Sequence, residues 1–381
     1  HKCDYSASSG SICEYKNNFL KDNLNNFLKG LIKNNVATSW NTMQKYCIDN
    51  ENENIIVIAQ TGMGKSEGAL NWIGNNKGYF VLPIRTAINA MYERIKDQII
   101  KDDVHLNEKL SILHSSSQEY YMKNISDIAE KEKFDLNEYE HRGKEWSLPL
   151  NITTMDQLFD FVFKYQTYEL KLITLAYSKI VIDEIQMYNP ELLAYLIFGL
   201  EQIHDFGGKI AIFTATLPPF IEELLTEKIQ FKPKKKFVDN NIRHNICVIE
   251  DKLNSANIIE KYVNNKKNSK SNKILVICNT VKKAQEIYKD LKGKGNVRIL
   301  HSKFIRKDRE ILEKEIKEFG KTYSDEVNKV IDNNDGIWIS TSLVEASLDI
   351  DFDYLYTELQ DLSSLFQRLG RCNRKGVKDC S

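Results

Sequence analysis

The stretch AQTGMGKS, from Ala59 to Ser66, constrains this chain more than any other. It follows an aliphatic run, Ile55 to Ala59, and leads into a helical pattern, which makes it a glycine-rich loop between a strand and a helix. Gly62 and Gly64 let the backbone curl so that successive N–H groups, from Thr61 through Met63, face one point, and the following helix adds the positive end of its dipole. This is a P-loop. Lys65 is expected to reach the β- and γ-phosphates of a nucleotide and Ser66 to ligate Mg²⁺. The first position of the general pattern is Ala59 rather than Gly, a departure tolerated in one large subset of such loops.

The rest of the chain repeats the strand-then-helix grammar. Short aliphatic runs recur at Gly78 to Leu82, Leu110 to Leu113, Leu150 to Thr153, Ile180 to Asp183 and Ile210 to Thr214, and they read as buried parallel strands. Helical patterns lie between them at Thr86 to Lys101, Met155 to Tyr165 and Pro190 to His204, as crossover units on a parallel sheet require. A second series follows, with strands expected at Ile274 to Cys278, Val297 to Leu300, Ile337 to Ser340 and Tyr354 to Thr357. The fold class is therefore α/β, with two domains expected at 37–231 and 246–381. Residues 232–245, with Lys234, Lys235 and Lys236, read as a solvated linker that resumes order at Ile246 to Ile249. The charged segment Ser126 to Trp146 reads as an exposed insertion, and residues 1–36 look helical and belong to neither series.

Composition narrows the partners. Lys plus Arg and Asp plus Glu are each 53 in 381 residues, so no global field draws the protein to nucleic acid or lipid, and any anion must be held by a local site. The seven cysteines lack a Cys-x-x-Cys pair and are odd in number, which fits a reduced cytoplasmic setting and neither a zinc nor a disulfide framework. No apolar run approaches the roughly 18 residues of a membrane span; Leu192 to Leu200 is broken by Tyr195 and Gly199. The chain opens at His1 without a basic-then-apolar leader, so it is expected to be cut from a longer one.

About 120 residues past the P-loop, the run Ile180, Val181, Ile182 delivers Asp183 and Glu184 to the carboxyl edge of the sheet, where open α/β folds bind ligands. Alone, such a pair also starts helices. Beside a P-loop it assigns Asp183 to Mg²⁺ and Glu184 to the attacking water.

Further motifs end the other strands: LPIRT from Leu82, NITTMDQ from Asn151 and TAT from Thr214 in the first series, then Asn279 with Thr280, STSLVEASLDI from Ser340 and QRLGRCNR from Gln367 in the second. Their order and spacing resemble the motor core of superfamily-two helicases, two RecA-like domains with ATP in the cleft between them. Arg371 and Arg374 stand three apart on an expected helix and so share a face, from which guanidinium forks can reach a γ-phosphate. The resemblance makes Arg371 the leading finger, with Gln367 and Arg374 in support and Arg368 behind them, and it places Gln44 of SWNTMQ as a reader of adenine and Asp349 beside the nucleotide. Thr214 and Thr216 would couple hydrolysis to motion.

VIDEIQMYNPELLAYL, TTMDQLF, LHSKFIRKDR and VEASLDIDFD together look like the CRISPR-associated helicase-nuclease of type I interference systems. HKCDYSAS, from His1, resembles the last motif of the HD nuclease domain that precedes the helicase in that family, and Asp4 matches its final metal-site Asp. The other ligands of that nuclease would lie upstream, so a divalent transition metal is implied only for a longer chain, and this one is not expected to cleave DNA alone. Departures from the family are Gln186, where many relatives have His, and Ser342 and Ser347, where Gln and Gly are common. The family usually continues past Arg374 into a lid domain.

The resemblance implies an ATP- and Mg²⁺-dependent motor moving 3′ to 5′ on single-stranded DNA as a monomer, recruited by an RNA-guided surveillance complex that has displaced the non-target strand. Strand contacts are expected from Arg85, Thr86, Thr154 and Gln157 in the first domain and from Asn279, Thr280, His301 and Thr341 in the second, through phosphates and sugars. Thr and Asn after strands also serve as helix caps. An RNA helicase, or an ATP-gated binding module without productive translocation, is the alternative reading.

Overall fold

The computed structural model describes residues 3, 8, 12–101, 105–115, 117, 120, 121, 142–166, 168–238, 242–266, 271–322, 334–345, 350–374 and 376. The chain divides into two units, His1–Val238 and Asp239–Ser381.

In the first unit the aliphatic runs form the strands β1 (Ile55–Ala59), β2 (Gly78–Val81), β3 (Leu110–Leu113), β4 (Leu150–Thr153), β5 (Lys179–Asp183) and β6 (Lys209–Thr214), with β7 at Lys235–Phe237. They make one parallel sheet in the order β3-β4-β2-β5-β6-β1-β7. The helices are α1 (Leu20–Lys33), α2 (Thr42–Asp49), α3 (Lys65–Ile73), α4 (Arg85–Arg94), α5 (Met155–Leu158), α6 (Tyr168–Ala176), α7 (Pro190–Asp205) and α8 (Pro219–Lys228). One face of the sheet packs Val57, Phe80, Val181 and Phe213 against α1 to α4; the other packs Ile56, Tyr79, Ile180 and Ile212 against α7 and α8. Side chains alternate between the faces, and both faces are covered, so the strands read as continuous apolar runs.

Several expectations need correction. Residues 235–237 are no linker: Lys235, Lys236 and Phe237 pair with Val57, Ile58 and Ala59 as an edge strand. The charge is met by contacts at the edge, with the Lys235 ammonium over the Tyr46 ring, 4.9 Å from its centroid, while Lys234 pairs with Glu222 at 2.5 Å. Leu20 and Leu24 of α1 are buried in the first unit's core, so the helical part of residues 1–36 packs with that unit. Trp146, at the end of the supposed exposed insertion, is buried and lies 5.1 Å from the Tyr79 ring. The helix expected over Met155 to Tyr165 breaks after one turn into a 3-10 segment, Phe159–Phe163, which ends at Lys164 with a φ of 54°. The helix expected over Thr86 to Lys101 continues past α4 as a π-helical segment, Ile95–Ile100, which buries Ile95, Ile99 and Ile100 together.

The second unit holds α9 (Ser255–Lys266), β8 (Asn272–Ile277), α10 (Val281–Leu291), β9 (Val297–Leu300), α11 (Arg306–Phe319), β10 (Asp335–Ser340), β11 (Tyr354–Thr357) and α12 (Leu362–Leu369). Its strands are parallel in the order β11-β8-β10-β9. The run Ile246 to Ile249 takes neither helix nor strand, and Ile246, Val248 and Ile249 are exposed. Helix α12 ends at Leu369 with Gly370 as its cap, so Arg371 and Arg374 lie in the turn beyond it rather than on one helical face.

Candidate active site

Parallel order decides what meets at the carboxyl edge of the first sheet. Strands β5, β6 and β1 are neighbours, so Asp183 and Glu184, Thr214 to Thr216, and the P-loop converge. The loop has the conformation its glycines permit: Gly62 and Gly64 have φ of 83° and 77°, and a Cβ on Gly64 would sit 2.5 Å from Gln44 Nε2. Lys65 opens α3, and its ammonium contacts Glu184 Oε1 at 2.5 Å.

Glu184 is the hub. Its Oε2 accepts from Gln186 Nε2 at 2.7 Å and from the backbone N–H of Ala215 at 3.2 Å. The Thr214 hydroxyl lies 3.1 Å from Glu184 Oε2, 2.7 Å from Gln186 Oε1 and 2.6 Å from the Thr216 carbonyl, and its single proton serves one of them at a time. Gln186 thus bridges Glu184 and Thr214, the link that the absence of His at this position put in question. The Glu184 backbone has a φ of 49°, a left-handed conformation that costs an L residue about 1 kcal/mol or more and persists where neighbours over-determine it.

The two carboxylates differ electrostatically. Burial, and after it the Glu184 charge, push the Asp183 carboxyl above the usual carboxylate range, against the pull of Lys65. Burial works to raise Glu184 as well, but the Lys65 ammonium and the hydrogen bonds from Lys65, Gln186 and Ala215 outweigh it and hold Glu184 low. Asp183 Oδ1 is buried and, among the described residues, has no hydrogen-bond partner. A bare buried carboxylate oxygen fits a hard divalent cation, and the Ser66 hydroxyl at the start of α3 is of the right chemistry to serve as a further ligand.

Sequence reasoning missed what holds the P-loop. Asn41 caps α2 in a reciprocal box: its side chain accepts from Gln44 N at 2.9 Å while Gln44 Oε1 accepts from Asn41 N at 3.1 Å. The same two side chains donate to the loop, Asn41 Nδ2 to the Met63 carbonyl at 2.9 Å and Gln44 Nε2 to the Gly64 carbonyl at 3.3 Å. The spacing Asn-x-x-Gln ahead of a helix carries this signal in the sequence. Behind the loop, Glu67 is buried and pairs with Arg94 of α4.

On the same sheet edge, the β2 and β4 ends carry Arg85, Thr86, Thr154 and Gln157. Arg85 is exposed, and Thr154 is buried. In the second unit Asn279 donates its side-chain amide to the Leu359 carbonyl, and Thr280 caps α10 by accepting from Lys283 N. His301 and Thr341 are buried, with His301 stacked on Phe304 at 4.4 Å between ring centroids and its pKa lowered by burial. Arg371 is buried, its guanidinium donating to the Val344 and Glu345 carbonyls. Arg368 is fully buried and bonds Glu345 Oε1 at 2.7 Å, Thr357 Oγ1 at 2.7 Å and the Glu358 carbonyl at 3.0 Å. Gln367 is also buried, and Arg374 is half-buried, with its backbone N–H on Asp351 Oδ1. Asp4, Asp349 and Ser347 lie outside the described residues.

The edge described above has the parts of a nucleotide-hydrolysing motor, and comparison with known proteins agrees. Residues 41–224 match the family model for the DEAD/DEAH box helicase, and residues 270–377 match that for the CRISPR-associated nuclease/helicase Cas3, C-terminal. Together the two matches liken most of the chain to the helicase part of Cas3 proteins. A CRISPR-associated nuclease/helicase Cas3 of Methanothermobacter thermautotrophicus is 28% identical, over 85% of this chain and 39% of its own length. A putative Cas3 of Methanocaldococcus jannaschii is 29% identical, over 87% of this chain and 46% of its own. The chain thus spans less than half the length of these curated relatives. The crystal structure of T. fusca Cas3-ATP has the same fold, with a TM-score of 0.69 at 19% identity over 91% of this chain and 45% of that one.

Proposed function

We propose that this chain is the motor core of a CRISPR interference helicase, an ATP hydrolase stimulated by single-stranded DNA that moves 3′ to 5′ along the strand displaced by an RNA-guided surveillance complex. The observation that carries the reading is the network joining Lys65, Glu184, Gln186 and Thr214, beside an Asp183 oxygen with no partner among the described residues. Ser66 and Asp183 would hold a Mg²⁺ ion, whose chemistry there is to neutralise charge on the β- and γ-phosphate oxygens. The backbone N–H groups of 61–66 cradle the phosphates, and Lys65 exchanges Glu184 for a phosphate oxygen as nucleotide binds. Glu184, held low and therefore ionised, accepts hydrogen bonds from the attacking water and orients it in line. Thr214 and Gln186 carry the change at Glu184 into the end of β6. Arg371 and Arg374 are the proposed arginines for the γ-phosphate charge, with Gln367 beside them, and Arg368 is assigned to holding the second unit together.

Mg²⁺-dependent ATP hydrolysis with and without single-stranded DNA tests this. Stimulation by DNA is expected, weak with an RNA strand of the same sequence. Lys65→Ala should weaken nucleotide binding, whereas Glu184→Gln should keep binding and slow turnover on the order of 100-fold or more. Normal turnover in Glu184→Gln would remove the water-orienting role, and equal stimulation by RNA would favour an RNA motor.

A further inference from the structure

On the first unit's carboxyl edge, next to the nucleotide site, lies a cavity of about 320 Å³ that nothing above uses. It sits at the low end of the roughly 300–1,000 Å³ range of small-ligand pockets. Ile84, Met155, Met187 and Leu192 give it apolar walls. Thr154, Asp156, Tyr188 and Asn189 supply its polar groups.

Two of those groups are left unused. The Thr154 side chain is 8% exposed, and its Oγ1, like the Tyr188 hydroxyl, is buried with no hydrogen-bond partner among the described residues. A buried hydroxyl left unsatisfied costs about 1–3 kcal/mol, and two such hydroxyls belong to residues that line this one cavity, which marks a place suited to donating to something. Asp156 excludes a phosphate there by charge. The remaining fit is a flat, neutral, apolar-faced group with acceptors and an amino donor along one edge. Arg85 and Thr86 follow Ile84 directly, so a strand whose phosphate they hold passes the cavity mouth.

We propose that this cavity receives one base of the bound single strand, a cytosine or adenine, with its amino group donating to Asp156 and its ring nitrogen accepting from Thr154 or Tyr188. The proposal rests on the single-stranded-DNA reading above. It also gives the strand a route to the chemistry. Tyr188 closes the short turn that starts at Glu184, with Met187 N donating to the Glu184 carbonyl at 2.9 Å and Tyr188 N to the Ile185 carbonyl at 3.3 Å. A base seated on Tyr188 therefore bears on the backbone that holds the catalytic carboxylate in its left-handed conformation.

Fluorescence anisotropy with labelled strands of about 20 nucleotides, using the full chain, decides it. Oligo-dC should bind at least fivefold tighter than oligo-dT, and an abasic strand of equal length weaker than both. Leu192→Trp, which fills the cavity from a residue 40% exposed, and Asp156→Ala, which removes the acceptor at a surface position, should each bring dC down to the dT affinity. A matching far-ultraviolet circular dichroism spectrum and thermal midpoint keep a folding defect apart from a lost pocket. Equal binding of dC, dT and abasic strands would overturn the base pocket and leave the motor reading intact. No binding of any strand would overturn both.

Discussion

Arg368→Met should destabilise the second unit by about 3–5 kcal/mol, the cost of removing one partner from a buried ion pair. The pair is the driest ion pair among the described residues, with side-chain exposures of 1% for Arg368 and 8% for Glu345 and an Nε to Oε1 distance of 2.7 Å. Solvent therefore screens it little, and the loss includes the donors to Thr357 Oγ1 and the Glu358 carbonyl. Native-state hydrogen exchange read over peptides of β8, β10 and β11 is the assay, because it reports the second unit without the first. Each 1.4 kcal/mol is tenfold, so exchange there should accelerate more than 100-fold and stay unchanged over β1 to β6. Arg368→Met with Glu345→Met should recover about 2 kcal/mol, since the stranded carboxylate goes and only the unfilled acceptors remain. Burial already raises the Glu345 carboxyl, and Arg368 opposes that rise. In the single variant it rises further, so the native state's penalty is full at neutral pH and shrinks as acid neutralises Glu345. A cost under 1 kcal/mol, or a double variant no better than the single one, would refute the argument.

Two other predictions concern the first unit. Asn41→Ala should lower its stability by about 1 kcal/mol through the lost cap and raise the KM for ATP several-fold through the lost strut to Met63. Asn41→Asp separates the effects, since it keeps the cap acceptor and loses the amide donor; thermal unfolding and ATP titration read the two, and equal KM for Asp and wild type would deny the strut. Lys179 donates to the Trp72 carbonyl at 2.7 Å, and burial pushes it down to about 8, against roughly 10.4 in an unfolded chain. The wild type is thus penalised below pH 8 and relieved above it, so the stability of Lys179→Met relative to wild type should fall as pH climbs from about 8 toward 10. Urea midpoints at pH 7 and 9.5 check this, and a constant gap would contradict it.

Legibility from sequence followed burial. Strands covered on both faces, such as Ile55–Ala59 and Lys179–Asp183, write themselves as aliphatic runs, and the P-loop is fixed by backbone need for glycine. Strand β7 was illegible because the exposed Lys235 and Lys236 announce solvent, whereas the Lys235 ammonium lies over the rings of Tyr46 and Phe237 and the pairing with β1 is made by the backbone. Burial at a strand end was equally hidden. Thr154, His301 and Thr341 follow strands as expected but are buried, because the loops after their strands decide that, and loop conformation leaves no period in the sequence. Arg371 shows the same limit: the motif names the residue, whereas only coordinates reveal that the carbonyls of Val344 and Glu345 hold its guanidinium.

The adjacency of β2 and β5 has a mechanical side. The helix start that bears Arg85 and the tip that bears Asp183 hang from strands one ladder spacing apart, about 4.8 Å. A lever that short is stiff and has almost no throw. A shift passed between two tips so close is small, on the order of fractions of an ångström, which suits adjusting an in-line angle better than carrying a strand forward. In this unit the sheet edge is built as a trigger.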